Sequence, residues 1–178
     1  MKVAHDPLTR RPEDLLRHYL GDLVYGANDG LVTTFTVVSG VAGAQLSATV
    51  VLVLGLVNLV ADGFSMGASN FLSIRSAAGA EGRDRGIREP LLHGGATFGA
   101  FVVVGFIPLV AHVLPGWRDS AYALSCVLTG AAMFTVGALR SIVAPGSWLK
   151  SGLEMLFIGA IAAGVAFAVG RWAAGLVG

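Results

Sequence analysis

Five long apolar stretches divide this chain and constrain what it can fold into. They cover residues 23–44, 48–74, 91–114, 121–139 and 153–176. A helix needs about 20 apolar residues to cross the hydrocarbon core of a bilayer, and each stretch is close to that length. Little of the 178-residue chain is left over for a soluble domain. The pattern therefore predicts an all-α integral membrane protein with five transmembrane helices.

Composition supports a bilayer as the solvent and excludes several classes of partner. The chain is 54% hydrophobic and 13% charged, with a mean hydropathy of +0.73, more apolar than a soluble domain of this size needs to be. Its formal net charge of +1 provides no basic surface for nucleic acid. Cys126 is the only cysteine, so neither an internal disulfide nor a thiolate metal cluster is expected.

The polar segments predict how the chain is organised around these helices. Residues 1–22 are expected to form a cytoplasmic amphipathic lead-in, with Pro12 at the first helical position. The five-helix transmembrane domain is expected to cover 23–176, with a short polar cytoplasmic loop at 76–90. Three pairs of glycines have the spacing that lets membrane helices approach closely. These pairs are Gly26/Gly30, Gly63/Gly67 and Gly95/Gly99.

The distribution of positive charge predicts the orientation of the helices. With five spans, one side of the membrane receives ten of the twelve basic residues, and the other side receives Arg118 and Arg171. The ten are Lys2, Arg10, Arg11, Arg17, Arg75, Arg83, Arg85, Arg88, Arg140 and Lys150. Because cytoplasmic loops are enriched in Lys and Arg, we expect a cytoplasmic N-terminus and an external C-terminus.

An aspartate interrupts the first apolar stretch. Asp29 lies within the segment YGANDGLVTTF, and a carboxylate at mid-membrane depth costs about 2.5–3.5 kcal/mol on insertion scales. Retaining it implies a proton, a cation, a polar partner or a water-filled cavity. Tyr25, Thr33 and Thr36 are spaced to extend an oxygen-lined surface around it. The alternative is a protonated or hydrogen-bonded residue that joins two helices.

The second stretch carries polar residues every four positions. Asn58, Asp62, Met66 and Asn70 therefore form one ridge along a helix. A carboxylate, amide oxygens and a thioether suit Fe²⁺ or Mn²⁺ better than Mg²⁺ or Ca²⁺. Two other interpretations stay open: Met66 fills space between helices, or Asp62 lies at the cytoplasmic end of its helix, 13 residues from Arg75.

The remaining polar residues have simpler interpretations. His93 and His112 fall near opposite ends of the third stretch and are interpreted as interfacial residues rather than a metal pair. Glu154 begins the last stretch, where a carboxylate favours the positive end of the helix dipole. Because the sequence has no metalloprotease, nucleophile-elbow, phosphate-loop or dinucleotide-binding motif, it does not indicate an enzyme.

Four segments together resemble the vacuolar iron transporter family. The first two helices supply YGANDGLVTTFTVVSGVAGA and NLVADGFSMGASNFLS, which are the specific part of the likeness. The segments PLLHGGATFGAFVVVGFIPLV and SGLEMLFIGAIAAGVAFAVG resemble its third and last helices. The resemblance extends over residues 20–172, which is most of the chain.

This resemblance implies a fold, a function and two ligands. Members of the family are five-helix homodimers that move Fe²⁺, often with Mn²⁺, out of the cytosol in exchange for protons. Their ion path is thought to run between the two protomers. The family's first-helix aspartate falls on Asp29 and its second-helix methionine on Met66, so the resemblance implies that both residues are pathway ligands. The metal is transported, and no permanently bound cofactor is expected.

The chain departs from the family's plant iron transporters at two places. They carry a glutamate where this chain has Asn58, which offers a carbonyl oxygen but carries no proton. They also insert a Glu-rich cytoplasmic metal-binding domain between the second and third helices, where this chain has only a short Arg-rich loop. Asp62, one turn after Asn58, is a candidate replacement for the missing carboxylate.

The resulting hypothesis is a proton-coupled exporter of Fe²⁺ or Mn²⁺. Asp29 and Asp62 would serve as carboxylate ligands or proton carriers, Met66 as a soft ligand, and Asn58 and Asn70 as neutral oxygen donors. The expected location is the cytoplasmic membrane of a bacterium or a vacuole-like membrane of a eukaryote. Two alternatives stay open, namely a non-transporting scaffold or metal-responsive interaction protein, and a transporter of some other cation.

Overall fold

Every regular element in the described residues is an α-helix. The structure is a computed structural model that describes 12–82, 86–116, 120–143 and 146–177, with backbone alone for 12–17, 143 and 177. The helices are α1 (Pro12–Gly43), α2 (Ala48–Ala80), α3 (Arg88–Gly105), α4 (Ile107–Val113), α5 (Ala121–Val143) and α6 (Trp148–Val177). The all-helical part of the prediction is confirmed over these ranges.

The third apolar stretch forms two helices in line, α3 and α4, instead of one. The interruption lies at Phe106, two residues before Pro108. Proline has no amide hydrogen and its ring clashes with the carbonyl group four residues earlier, so a regular helix cannot continue through it. The backbone tightens here, with the Leu109 amide donating to the Phe106 carbonyl over 3.0 Å. Because α3 and α4 together cover a single stretch, the chain has five helical units in its described part.

Four of these five units are long and apolar enough to cross a bilayer. They are α2, α3 together with α4, α5 and α6, as judged from the described residues. α1 has 32 residues but is not among the four. Its middle contains Asn28, Asp29 and three threonines at positions 33, 34 and 36, which lower its hydropathy. The helix expected to carry Asp29 is therefore also the most polar one.

The boundaries of the polar segments differ in part from the sequence prediction. The described part of α1 begins at Pro12 and continues without interruption into the first apolar stretch; residues 1–11 lie outside the described part. α2 continues to Ala80, so the connection to α3 is 81–87, shorter than the predicted loop at 76–90. The extension of α2 is rich in alanine, the residue with the highest helix propensity.

α1 lies at the centre of the fold and touches every other helix. Leu31 and Val38 are completely buried along it. Gly26 and Gly30 bring it against α3: an added Cβ would lie 2.4 Å from the Thr97 carbonyl oxygen at Gly26 and 2.4 Å from the Phe101 carbonyl oxygen at Gly30. No side chain fits at either position without moving α3.

The other predicted glycine pairs behave differently from each other. Gly67 on α2 faces Gly94 on α3, and a Cβ added at Gly67 would lie 2.7 Å from the Gly94 carbonyl oxygen. Gly63 packs against aromatic side chains of α3. Gly95 and Gly99 have no such neighbour within 4 Å in the described part of the chain. The spacing thus marks real helix contacts within the chain at two of the three pairs.

Candidate functional site

α1 and α2 each carry one carboxylate, and the two carboxylates interact electrostatically. Asp29 and Asp62 each lie near the middle of their helix and are half-buried, and they are close enough for their charges to interact. Because α2 runs to Ala80, Asp62 lies 18 residues before the end of its helix. Among the described residues, no salt bridge joins either carboxylate to a basic side chain.

The electrostatics of this carboxylate pair, Asp29 and Asp62, favour a bound positive charge. Two like charges that are partly withdrawn from water repel each other more strongly than they would in bulk solvent. A proton on one carboxyl group or a cation between the two removes that repulsion. The arrangement is therefore chemically able to exchange a cation for protons.

The neighbours of Asp62 on α2 extend the polar surface in both directions. Asn58, one turn earlier, is half-buried, and its side-chain nitrogen is buried without a hydrogen-bond partner in the described part of the chain. Such an orphaned amide costs about 1–3 kcal/mol, which a water or another acceptor would relieve. Met66, one turn later, packs against the apolar cluster around Val38 and Phe101. The packing interpretation of Met66 is therefore correct for part of its surface.

Met66 also lines a cavity at the surface. The cavity has a volume of about 390 Å³ and a largely hydroxyl- and amide-bearing wall. Its lining residues are Tyr25, Ser65, Met66, Ser69, Asn70 and Ser73. Asp29, Asp62 and Asn58 lie outside this lining. Of the hydroxyl groups expected around Asp29, Tyr25 lines the cavity, whereas Thr36 donates to the Thr33 carbonyl oxygen in its own helix over 2.7 Å.

Asn70 belongs to a different group of residues from the one expected. Its side-chain nitrogen lies 2.8 Å from an Asp22 carboxylate oxygen, 2.7 Å from the Thr97 hydroxyl and 3.4 Å from the His93 carbonyl oxygen. These contacts tie α2 to α1 and to the start of α3. Asn70 thus has partners of its own on two other helices, while it also lines the same cavity as Met66 of the ridge.

His18, Asp22, Asn70, His93 and Thr97 form what we call the end cluster. His93 Nδ1 lies 2.5 Å from the second Asp22 carboxylate oxygen. The ring of His18 lies 4.9 Å from that of His93, centroid to centroid. Thr97 in turn donates to the His93 carbonyl oxygen over 3.1 Å. The cluster joins three helices through side chains that are half-buried or buried.

The end cluster escapes sequence reasoning because its members look ordinary one at a time. His93 alone is typical of an interfacial residue, and neither His18 nor Asp22 stands out in the sequence. A four-residue spacing of His18 and Asp22 on α1, and of Glu89 and His93 on α3, is the available signal. His112 lies in α4, at the other end of the same stretch, and takes no part.

Glu154, in the second turn of α6, belongs to neither group. It contributes an exposed contact to Arg140, with 3.6 Å between nitrogen and oxygen. Exposed pairs of this kind contribute little to stability. The expected interaction of Glu154 with the positive end of the helix dipole is wrong, because α6 begins at Trp148 and Glu154 lies in its second turn.

The fold and the site together define a class of protein. Four apolar helices, packed around a polar helix that brings a carboxylate against α2, make this a multi-pass membrane protein. The model of the VIT family matches residues 20–89 and 77–171. The chain belongs to this family, which confirms the resemblance seen in its first two helices.

Individual relatives cover most of the chain at modest identity. Vacuolar iron transporter 1 of Arabidopsis thaliana is 24% identical over 210 positions, which cover 84% of each protein. Vacuolar iron transporter homolog 1 of Oryza sativa subsp. japonica is 28% identical over 167 positions, with 85% of this chain and 72% of the relative covered. A vacuolar iron transporter of Toxoplasma gondii is 47% identical over 55 residues, only 31% of this chain and 18% of that protein.

Proposed function

We propose that this protein exports Fe²⁺ or Mn²⁺ from the cytosol in exchange for protons. The observation that carries the proposal is the pair of half-buried carboxylates, Asp29 on α1 and Asp62 on α2, which are close enough for their charges to interact. A metal ion would neutralise both, and protons arriving from the other side would displace it. The names of the relatives, which describe iron transporters and their homologues, support a metal as the cargo.

The proposed ion ligands follow from the chemistry of the ridge. Asp29 and Asp62 supply charged oxygens and carry the protons, Asn58 supplies a neutral oxygen, and Met66 supplies a thioether that favours borderline-soft ions over Mg²⁺. Asn70, farther along the same helix, supplies a second neutral oxygen. Its side-chain nitrogen makes the three contacts described above, so its amide oxygen is the atom that faces the ion. Asn58, in place of a carboxylate, favours a broader choice between iron and manganese.

The proposed membrane arrangement adds α1 to the four apolar spans. An amphipathic start at 12–22 followed by a crossing from residue 23 gives five spans within 23–176. The excess of basic residues then puts the N-terminus and the connections 81–87 and 144–147 in the cytoplasm. A polar α1 is compatible with a bilayer because its neighbours, rather than lipid, cover it. A homodimer is part of the proposal and rests on the family resemblance; cross-linking in native membranes tests it.

A flux assay in liposomes tests this function. Purified protein would be reconstituted with a metal-sensitive dye inside, and Fe²⁺ or Mn²⁺ would be added under a pH gradient. We expect metal movement coupled to proton movement, and at least about a tenfold loss of rate for Asp29→Asn, since asparagine keeps an oxygen but loses the charge and the proton. Glu154→Gln is the matched control, because Glu154 is exposed and distant in sequence from the pair.

Two outcomes would overturn the proposal. Equal rates for wild type and Asp29→Asn would remove Asp29 from the pathway. No movement of either metal by correctly folded wild-type protein would favour the scaffold alternative, in which Asp29→Asn and Met66→Leu change only the stability of the assembly. Competition by other divalent ions, with indifference to Fe²⁺ and Mn²⁺, would indicate a different cargo.

A further inference from the structure

Three potential metal ligands converge at the end cluster, two of them being its own histidines. One ligand atom from each of His18, Glu89 and His93 lies within 4.8 Å of the other two, and all three side chains are half-buried. Glu89 and His93 are four residues apart on α3 and therefore share a face of that helix. His18 comes from α1 on the opposite side. The residues thus enclose one small volume from two helices.

The spacing of these atoms is close to what a metal ion requires. Metal–nitrogen and metal–oxygen distances of about 2.0–2.2 Å mean that two ligands of one tetrahedral ion lie about 3.3–3.6 Å apart. An upper separation of 4.8 Å therefore closes onto an ion when the two side chains together move by up to about 1.5 Å. Changes of that size need only small rotations of half-buried side chains.

The contact between His93 and Asp22 is the second, independent observation. Asp22 engages Nδ1 of His93 at 2.5 Å, which leaves Nε2 as the nitrogen that can bind a ligand. Histidines that bind metals almost always give their other ring nitrogen to a carboxylate or a carbonyl group, which fixes the tautomer and the direction of the ring. Asp22 is held in turn by Asn70 over 2.8 Å. The structure therefore already contains the hydrogen-bonded residues, Asp22 and Asn70, that would orient His93 as a metal ligand.

The geometry points to a divalent-metal site formed by His18, Glu89 and His93, with Asp22 as the residue that orients His93. Two imidazoles and one carboxylate suit Zn²⁺, Fe²⁺ and Co²⁺ better than Mg²⁺ or Ca²⁺. Three protein ligands leave at least one coordination position for water, so an ion held here can be exchanged.

The position of this site indicates how it would be used in transport. This part of the inference rests on the proposed function. His18, Asp22, Tyr25 and Asp29 recur along α1 at steps of four, three and four residues, so they follow one side of the helix. His18 and Asp29 are 11 residues apart, roughly 16 Å along the axis. Under the proposed orientation the site faces the cytoplasm. It would receive the metal before the ion reaches the carboxylate pair.

Calorimetric titration of the purified full chain with Zn²⁺ or Co²⁺, after removal of any polyhistidine tag, tests the site. We expect His18→Ala and His93→Ala each to weaken one class of binding by at least tenfold, and Asp22→Asn to weaken it by about 10–100-fold through the orientation of His93. Co²⁺ absorption bands that respond to these changes would identify histidine ligation. His112→Ala is the matched control, since His112 lies in α4 and outside the cluster.

Circular dichroism and gel filtration would establish that each variant is folded, and His18→Gln and His93→Gln would replace any alanine variant that is not. Unchanged Zn²⁺ and Co²⁺ binding in both histidine variants would overturn the site and leave the cluster as a structural link between α1 and α3. Equal weakening in His112→Ala would also overturn it, because binding would not depend on position.

The same titration separates this inference from the proposed function. Asp29→Asn should retain the histidine-dependent binding of Co²⁺ even though it loses transport. In the flux assay, His93→Ala should raise the half-saturating metal concentration while leaving the maximal rate within about twofold. If the wild type moves no metal, the proposed function fails, yet the titration still decides whether the site exists.

Discussion

The carboxylate pair and the end cluster are both polar groups between helices, but they differ in how they are built. Asp29 and Asp62 come from the middle of two helices, and no described basic side chain pairs with them. In the end cluster, Asp22 already contacts both Asn70 and His93. The carboxylate pair has no positively charged partner among the described residues, whereas the polar groups of the end cluster are largely hydrogen-bonded to neighbouring side chains.

This difference separates two kinds of metal chemistry within one molecule. A carboxylate pair without a basic partner changes its charge state easily, which suits repeated exchange between metal and protons. A histidine held by a carboxylate keeps one tautomer and one direction, which suits recognition of the ion. We therefore expect changes to the pair to alter the rate of transport, and changes to the cluster to alter the affinity for metal.

The largest expected effect comes from Asp62→Asn. It removes half the negative charge of the carboxylate pair and one proton carrier, so the metal flux should fall at least about tenfold in the liposome assay. Binding of Co²⁺ by the three ligands His18, Glu89 and His93 should be unchanged. Asp62→Glu is the matched variant and should recover part of the flux. Loss of Co²⁺ binding in Asp62→Asn would mean that the two regions are one site.

Sequence alone predicts the carboxylates of the pair because their anomaly is local. A charged residue within an apolar stretch stands out without knowledge of the fold, and the four-residue repeat on α2 puts Asp62 on a definite face. The meeting of Asp29 with Asp62 is not predictable in this way, since it depends on how α1 packs against α2. The helical units themselves are predictable from length and hydropathy, except for the interruption at Phe106 before Pro108.

The end cluster is not predictable for the opposite reason. His18, Asp22 and His93 lie near the ends of apolar stretches, where polar side chains are common and cost little. Only the packing of α1 on α3 shows that they converge, and the two helices come closest at the glycines of α1, which carry no polar motif. Asn70 shows the limit of prediction from sequence, because its partners on two other helices cannot be derived from the spacing of residues within α2.

An intermediate effect is expected for Gly26→Ala, which tests whether that glycine contact builds the cluster. The new methyl group would lie 2.4 Å from the Thr97 carbonyl oxygen, so α1 and α3 must separate. Overpacking of this kind costs about 1–3 kcal/mol, or a fall of several degrees in the apparent melting temperature. Zn²⁺ affinity should fall several-fold, because His18 and His93 are on the two helices that move apart.

Gly21→Ala is the control for this comparison. It lies on the same helix, and no described atom outside its local backbone lies within 4 Å of an added Cβ. Its melting temperature and Zn²⁺ affinity should match those of the wild type. In Gly26→Ala, the metal flux should fall by a smaller factor than the Zn²⁺ affinity, because Asp62 is on α2 rather than α3. A larger loss of flux than of affinity would contradict the assignment of the two regions to different helix contacts.

The smallest effect is expected for Thr97→Val, which removes one hydroxyl from the end cluster at nearly constant volume. The buried Thr97 hydroxyl accepts from Asn70 and donates to the His93 carbonyl oxygen. Asn70 retains its contact with Asp22 in the variant. The expected loss is therefore about 1 kcal/mol in the free energy of unfolding, measured by thermal or denaturant unfolding in detergent.

Thr135→Val is the control for Thr97→Val, because the exposed Thr135 hydroxyl bonds only within its own helix and its loss should cost less than about 0.5 kcal/mol. Metal flux should stay within about twofold of the wild-type rate in both variants, since Thr97 contacts Asn70 only through the amide nitrogen, which keeps its contact with Asp22, and Thr135 contacts no proposed ion ligand. A fall in flux for Thr97→Val as large as that for Asp62→Asn would show that Asn70 transmits changes from the cluster to the carboxylate pair. The division of labour between recognition in the cluster and transport through the pair would then be wrong.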